Sequence, residues 1–143
     1  MTKHPVGLLD TSTVILLSRL TNPGELPGAP RISAITLAEL SVGPLLATTE
    51  VERAARLAHL QQAEADFESL PFDADAARAF GQVAASLRRA GRKPSARAYD
   101  AMIAAIAIAN ELPLYTCNPD DFTGIEGLDV VAIRHPDARP SLQ

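Results

Sequence analysis

The sequence predicts one α/β domain with a mainly parallel sheet and helices packed on its faces. Three observations predict it. Five short strand-like runs are separated by helical segments, and strands joined through helices pair in parallel with right-handed crossovers. The chain has 143 residues, enough to bury a real core and too few for a second domain. Hydrophobic residues make up 47% and charged residues 21%, with no Trp and 4% aromatics, so a globular core has to be built from Leu, Ile, Val and Ala.

The elements follow in order. Val6 to Leu9 is a short apolar run, read as a buried strand. Thr11 to Leu20, carrying Val14, Ile15, Leu16 and Leu17, reads as the first helix. Thr21 to Pro30 holds three Pro and two Gly and reads as a loop. Arg31 to Ile35 is the second strand. Thr36-x-x-Glu39 matches a capping box and opens a helix that Gly43-Pro44 should end or kink. Glu50 to Asp66 is an amphipathic helix whose apolar residues include Val51, Ala54, Ala55, Leu57, Ala58 and Leu60, and it pairs antiparallel with the helix before it. Glu68 to Phe72 is the third strand. Asp73 caps a helix to about Arg89, with Ala76, Ala77, Phe80, Val83, Ala84 and Leu87 inward, and Gly91 ends it. Ala98 to Asn110 is apolar nearly all round, which predicts a helix buried in the domain or at a subunit contact. Leu114 to Thr116 and Val130 to Ile133 are the fourth and fifth strands, with a turn at Asn118-Pro119 between them. From about residue 135 the tail has little to bury and is expected to be loose.

Four acids stand out: Asp10 in GLLDTS, Glu39 in SAITLAEL, Asp100 in ARAYDAMIAAIA and Asp121 in TCNPDDF. Each has a local explanation. Asp10 could cap a helix, Glu39 could complete the capping box, Asp100 could pair with Arg97, and Asp120 and Asp121 could serve a turn. Taken together they need more. Asp10, Glu39 and Asp121 each follow a different strand, and Asp100 opens the helix leading into the fourth. In an alternating chain those points converge on one crevice at the carboxyl edge of the sheet. Carboxylates gathered there repel one another unless a cation holds them. The three His residues (His4, His59, His135) are scattered, without metal-ligand spacing, and Cys117 reads as a small buried filler. A set of bare carboxylates points to Mg2+ or Mn2+, and so to metal-assisted phosphodiester hydrolysis.

Charge and cysteine content narrow the setting. The net charge is −4, whereas a protein that only grips nucleic acid is usually basic, so any RNA contact has to be a local patch. Arg88, Arg89, Arg92, Lys93 and Arg97 supply one: five cations in ten residues, beside Asp100. The plainer reading, cations at a helix C-terminus, suits Arg88 and Arg89 but not the other three. With few aromatics, base stacking has little to draw on. One cysteine allows no intrachain disulfide, and the first residues lack a signal-peptide stretch; with no membrane-length apolar run, a cytoplasmic protein is expected.

The motifs LLDTS, the acid within AITLAEL, YDAMIAAIA and TCNPDDF, in that order over residues 8 to 122, resemble a PIN domain. More narrowly the chain resembles the VapC-type toxins of toxin–antitoxin pairs, and Gly91-Arg92 ahead of the third acid fits that pattern. The resemblance implies a three-layer α/β/α sandwich with strand order 3-2-1-4-5 and Mg2+- or Mn2+-dependent endoribonuclease activity. It implies that Asp10, Glu39 and Asp100 are metal-site acids. The fourth falls on Asp121, with Asp120 as the alternative, and Thr116 and Asn118 stand as supporting polar groups. It also implies products with a 5′ phosphate and a 3′ hydroxyl, a cognate VapB-type antitoxin entering a groove partly formed by residues 36 to 66, and a homodimer formed through faces such as the Ala-rich helix after Asp100. The competing readings are a Mg2+-dependent phosphatase or phospho-acceptor domain, and a non-catalytic binding module on the same fold.

Overall fold

The structure, a computed structural model, describes residues 5–138, apart from the Ala96 side chain. His4 and residues 139–143, which include most of the expected loose tail, lie outside the described residues. Five strands, β1 (Val6–Leu9), β2 (Ala29–Ser33), β3 (Glu68–Leu70), β4 (Leu114–Thr116) and β5 (Val130–Ala132), form one sheet in the order β3-β2-β1-β4-β5. All four pairings are parallel, with Leu8 of β1 facing Arg31 of β2 on one side and Leu114 of β4 on the other. Strands are added outward to one side as far as β3 and then to the other from β4. The switch point therefore lies between β1 and β4, where ligands of such sheets bind.

The alternation of side chains along β1 and β4 separates two cores. Leu8 and Leu114 face α4 (Ala74–Arg89) and α5 (Ala98–Ala109), packing with Val83, Leu87, Ile103, Ile106 and Phe122. Leu9 and Tyr115 face the other way, joining Val14 of α1 (Thr11–Leu16), Leu40 of α2 (Ala34–Val42) and Ala63 of α3 (Glu50–Asp66). Gly7 in β1 lies under the Tyr115 ring: a β-carbon there would stand 2.6 Å from Tyr115 Cε1 and 3.1 Å from Pro27 Cγ.

Several boundaries move for physical reasons. The first helix ends at Leu16 and tightens into a 3-10 turn over Leu17–Arg19. Strand β2 starts at Ala29, two residues early, because pairing with β1 holds Ala29 and Pro30 in register opposite Val6 and Gly7. Helix α2 then opens at Ala34 and not at Thr36. Its cap is Ser33, whose Oγ accepts from Thr36 N at 3.0 Å, so the expected Thr36–Glu39 capping box is not made. That frees Glu39 from a capping role. Ser33→Ala removes this fully buried cap, and a loss of about 1–2 kcal/mol in urea unfolding is expected.

Helix α4 begins where Asp73 accepts from Ala76 N at 3.0 Å and closes on Gly91 at φ 77°, with Arg92 N bonded to Leu87 O at 2.9 Å. Ala77, expected inward, is exposed, and Ser86 is buried in its stead. Helix α5 is buried over most of its length, with Ala101 and Ile103 to Ala107 fully buried, while Tyr99 near its start is exposed. Helix α3 departs most from expectation. Val51, Ala54, Ala55, Leu57 and Ala58 are exposed, and only the end near Leu60 and Ala63 reaches the core. Val42, Leu45, Leu46 and Val51 leave an exposed apolar patch around the α2–α3 connection. After β5 the chain is tied down as far as Ala138: Arg134 N donates to Glu25, and Arg19 pairs with Asp137.

Candidate metal centre

Asp10 sits at the junction of β1 and α1 and is nearly fully buried. It caps the helix, Oδ1 accepting from Thr13 N at 3.1 Å, as the simplest reading expected. Its other oxygen reaches across the switch point, accepting from Thr116 Oγ1 at 2.7 Å and from Ser12 Oγ at 3.2 Å. Burial raises the Asp10 pKa, and these hydrogen bonds oppose the rise. Thr116 Oγ1 in turn accepts from Asn118 N at 2.9 Å, Asn118 Nδ2 donates to Ser12 Oγ at 3.0 Å, and Cys117 N donates to Thr13 Oγ1 at 3.0 Å. The hydroxyl groups following Asp10 thus lace the end of β1 to the end of β4.

Glu39 lies in the second turn of α2. Its Oε1 accepts from Thr11 Oγ1 at 2.7 Å, and Thr11 Oγ1 lies 2.9 Å from Thr36 Oγ1. Since each hydroxyl has one proton, a relay runs from Ser33 through Thr36 and Thr11 to the carboxylate. Asp121 stands in the 3-10 turn Pro119–Phe122 after β4 and accepts from Arg97 Nη1 at 2.7 Å. Asp100, in the first turn of α5, is half-buried, and the same Arg97 nitrogen lies 4.0 Å from its Oδ2.

Electrostatics ties the four acids together. The Asp100 pKa is pushed up to about 6 from its usual 3.8, first by burial, then by the negative charges of Asp121, Asp10 and Glu39, with Arg97 opposing. All three other acids act electrostatically on Asp100. As the side chains stand, no three His, Cys, Asp or Glu among the described residues form a ready cage for an ion. Three of the acids are instead held by partners of their own: Asp10 by hydroxyls, Glu39 by Thr11 and Asp121 by Arg97.

Asp120, the alternative fourth acid, has an exposed side chain. Thr11, Ser12, Thr13 and Thr36 escaped sequence reasoning as site groups, although a run of three hydroxyl residues directly after Asp10 was visible.

The PIN domain family matches residues 8–128. The chain belongs to the PIN domain family. Within it the chain is similar to Ribonuclease VapC5 of Mycobacterium tuberculosis, 40% identical over 134 residues, covering 92% of this chain and 96% of that protein. It is 30% identical over 133 residues to Ribonuclease VapC1 of Rickettsia felis, covering 91% and 98%. The crystal structure of VapBC-5 from Mycobacterium tuberculosis superposes with a TM-score of 0.78 at 36% identity, covering 90% of this chain and 99% of that one.

The basic stretch of this PIN domain is used unevenly. Arg92 Nη1 donates to the carbonyls of Asp120 and Thr123 and so braces the turn that carries Asp121. Arg89 pairs with Glu126 at 3.2 Å, while Lys93 is exposed. Beside Glu39 a cleft of about 200 Å³ opens, lined by Thr11, Leu40, Gly43, Arg56 and His59. Cys117 is buried among core residues, as a filler should be, and burial raises its thiol pKa. No helix among the described residues is long and apolar enough to cross a membrane.

Proposed function

We propose that this PIN domain is a divalent-metal-dependent endoribonuclease and the toxin of a toxin–antitoxin pair. The observation that carries the reading is Asp100, half-buried, whose pKa is raised first by burial and then by three further acids delivered from separate elements. Repulsion of that kind has no structural use, and a cation relieves it. The donors are carboxylates and hydroxyls, hard oxygen ligands that suit Mg2+ or Mn2+. Asp10 and Asp100 would hold the ion, with Glu39 and Asp121 completing its surroundings. Asp121 is preferred to Asp120 because its charge acts on Asp100. When bound, the ion supplies Lewis-acid chemistry, acidifying water and offsetting charge on the phosphate under attack.

The chain's own residues do the rest. Thr116, Ser12 and the Thr13 amide fix both oxygens of Asp10, so it is oriented before any ligand arrives. Thr11 occupies one oxygen of Glu39. Of Arg92, Lys93 and Arg97, Lys93 is the exposed one; Arg92 and Arg97 reach RNA only by giving up their present bonds. The matching ribonucleases and the VapBC-5 complex support an antitoxin partner for this chain. The exposed Val42, Leu45, Leu46 and Val51, close to the Glu39 cleft, suit either such a partner or a second copy of the chain.

The purified protein is expected to cleave RNA with Mg2+ or Mn2+, to stop in excess EDTA and to resume when the ion is restored. Equal cleavage in EDTA would falsify the metal reading. Expression should arrest growth, and co-expression of the protein encoded beside it should relieve the arrest; unaffected growth with the wild-type chain counts against the toxin assignment.

A further inference from the structure

We infer that Arg97 is the site's own counter-cation and that it competes with the divalent ion for Asp121 and Asp100. The inference rests on the metal-dependent reading above. One guanidinium nitrogen, Nη1, lies 2.7 Å from Asp121 Oδ1 and 4.0 Å from Asp100 Oδ2. It thereby joins acids carried by the turn after β4 and by α5.

Helix capping does not explain the position of Arg97. It is the N-cap residue of α5 and makes no side-chain capping bond. A helix N-terminus is the positive pole, where a cation is disfavoured and an acid such as Asp100 is favoured. The two carboxylates account for its placement. Nor is the contact a general product of a basic stretch, because Arg92, five residues earlier, turns to backbone carbonyls.

The pairing also explains why the acids do not stand as a cage. Asp121 is directed at Arg97, and an ion needing that oxygen has to displace the guanidinium. The exchange is feasible because the pair is partly solvated: side-chain exposures are 34% for Arg97, 41% for Asp121 and 32% for Asp100. A pair of this kind is weak enough to open, whereas a fully buried one would lock the site. Arg97 therefore holds the acids together in the metal-free protein and raises the ion concentration needed to load them.

The test is a Mn2+ titration read by binding calorimetry at fixed ionic strength, with no RNA present. It compares wild type, Arg97→Gln, Asp121→Asn and the double variant, and Arg97→Ala repeats the comparison by a second route. Removing Arg97 is expected to lower the half-saturating Mn2+ concentration about 1.5-fold to fivefold, the range for a partly exposed pair. In the Asp121→Asn background the same change should shrink to less than half that size, because the competing contact is already gone. A gain of equal size in both backgrounds would mean a general field effect and overturn the inference. Unchanged or weaker Mn2+ binding without Arg97 overturns it as well. If the wild type and every variant fail to bind Mn2+, the metal-dependent reading itself falls, and this inference falls with it.

Discussion

Replacing Asp100 with Asn is expected to cut RNA cleavage roughly 10²- to 10³-fold, the scale for losing a central electrostatic group, while raising the melting temperature of the metal-free protein. The two effects have one source. In the folded chain the Asp100 pKa stands at about 6 against its usual 3.8. Between those values the native state binds more protons than the unfolded state. Stability therefore falls as pH rises through that window, and the penalty is complete above it. The neutral amide removes the penalty. Asp100 is partly solvated and lies at a helix N-terminus that favours its charge, so the gain at pH 7 is about 1 kcal/mol, or roughly 2–4 °C. Melting curves at pH 7 and pH 4 check the sign, since the gain should be full at the first and reduced to a small fraction at the second. A variant that lost activity and stability together would make Asp100 a structural acid. Asp10→Asn provides the contrast. Its buried oxygens serve Thr13, Thr116 and Ser12, and an amide nitrogen cannot accept in their place, so it is expected to lose activity and stability alike.

Gly7→Ala is expected to cost about 1–3 kcal/mol of stability, with still more for Gly7→Val. The glycine is required by space and not by backbone conformation, because its φ is ordinary. The ring that a new methyl would meet belongs to Tyr115, which is 2% exposed and packed between β1 and the α1–α3 layer, so it has nowhere to swing. Any accommodation must part β1 from its neighbours at the middle of the sheet, next to Asp10. Urea unfolding of Gly7→Ala measures the loss. An unchanged midpoint would show that Tyr115 yields freely and that the packing described around it is wrong.

The order of elements and the strand order were legible because they rest on periodicity, on short apolar runs and on one family's motif spacing, and the same motifs singled out the four candidate acids. The failures came where tertiary contact chooses between local options. Ser33-x-x-Thr36 and Thr36-x-x-Glu39 are both plausible helix openings, and the choice depends on Thr11, which buries the Thr36 hydroxyl. Pro30 argued against a strand, yet pairing with β1 keeps it in the sheet. The apolar residues of α3 were visible, but periodicity does not say whether a face meets the sheet or the solvent. Arg97 was read as a partner for Asp100 or for RNA. Its closer partner, Asp121, lies 24 residues away and is reached only through the fold.

The bond between Asp10 and Thr116 spans 106 positions of the chain. During synthesis, β1 emerges almost first and its neighbour β4 almost last, so a nascent or prematurely ended polypeptide has an open sheet edge and an unfinished acid pocket. Such fragments are material for proteases and aggregation, and the candidate site is complete only on a nearly full-length product. Any activity of the pocket is therefore confined to finished molecules, and partial copies of the chain lack it.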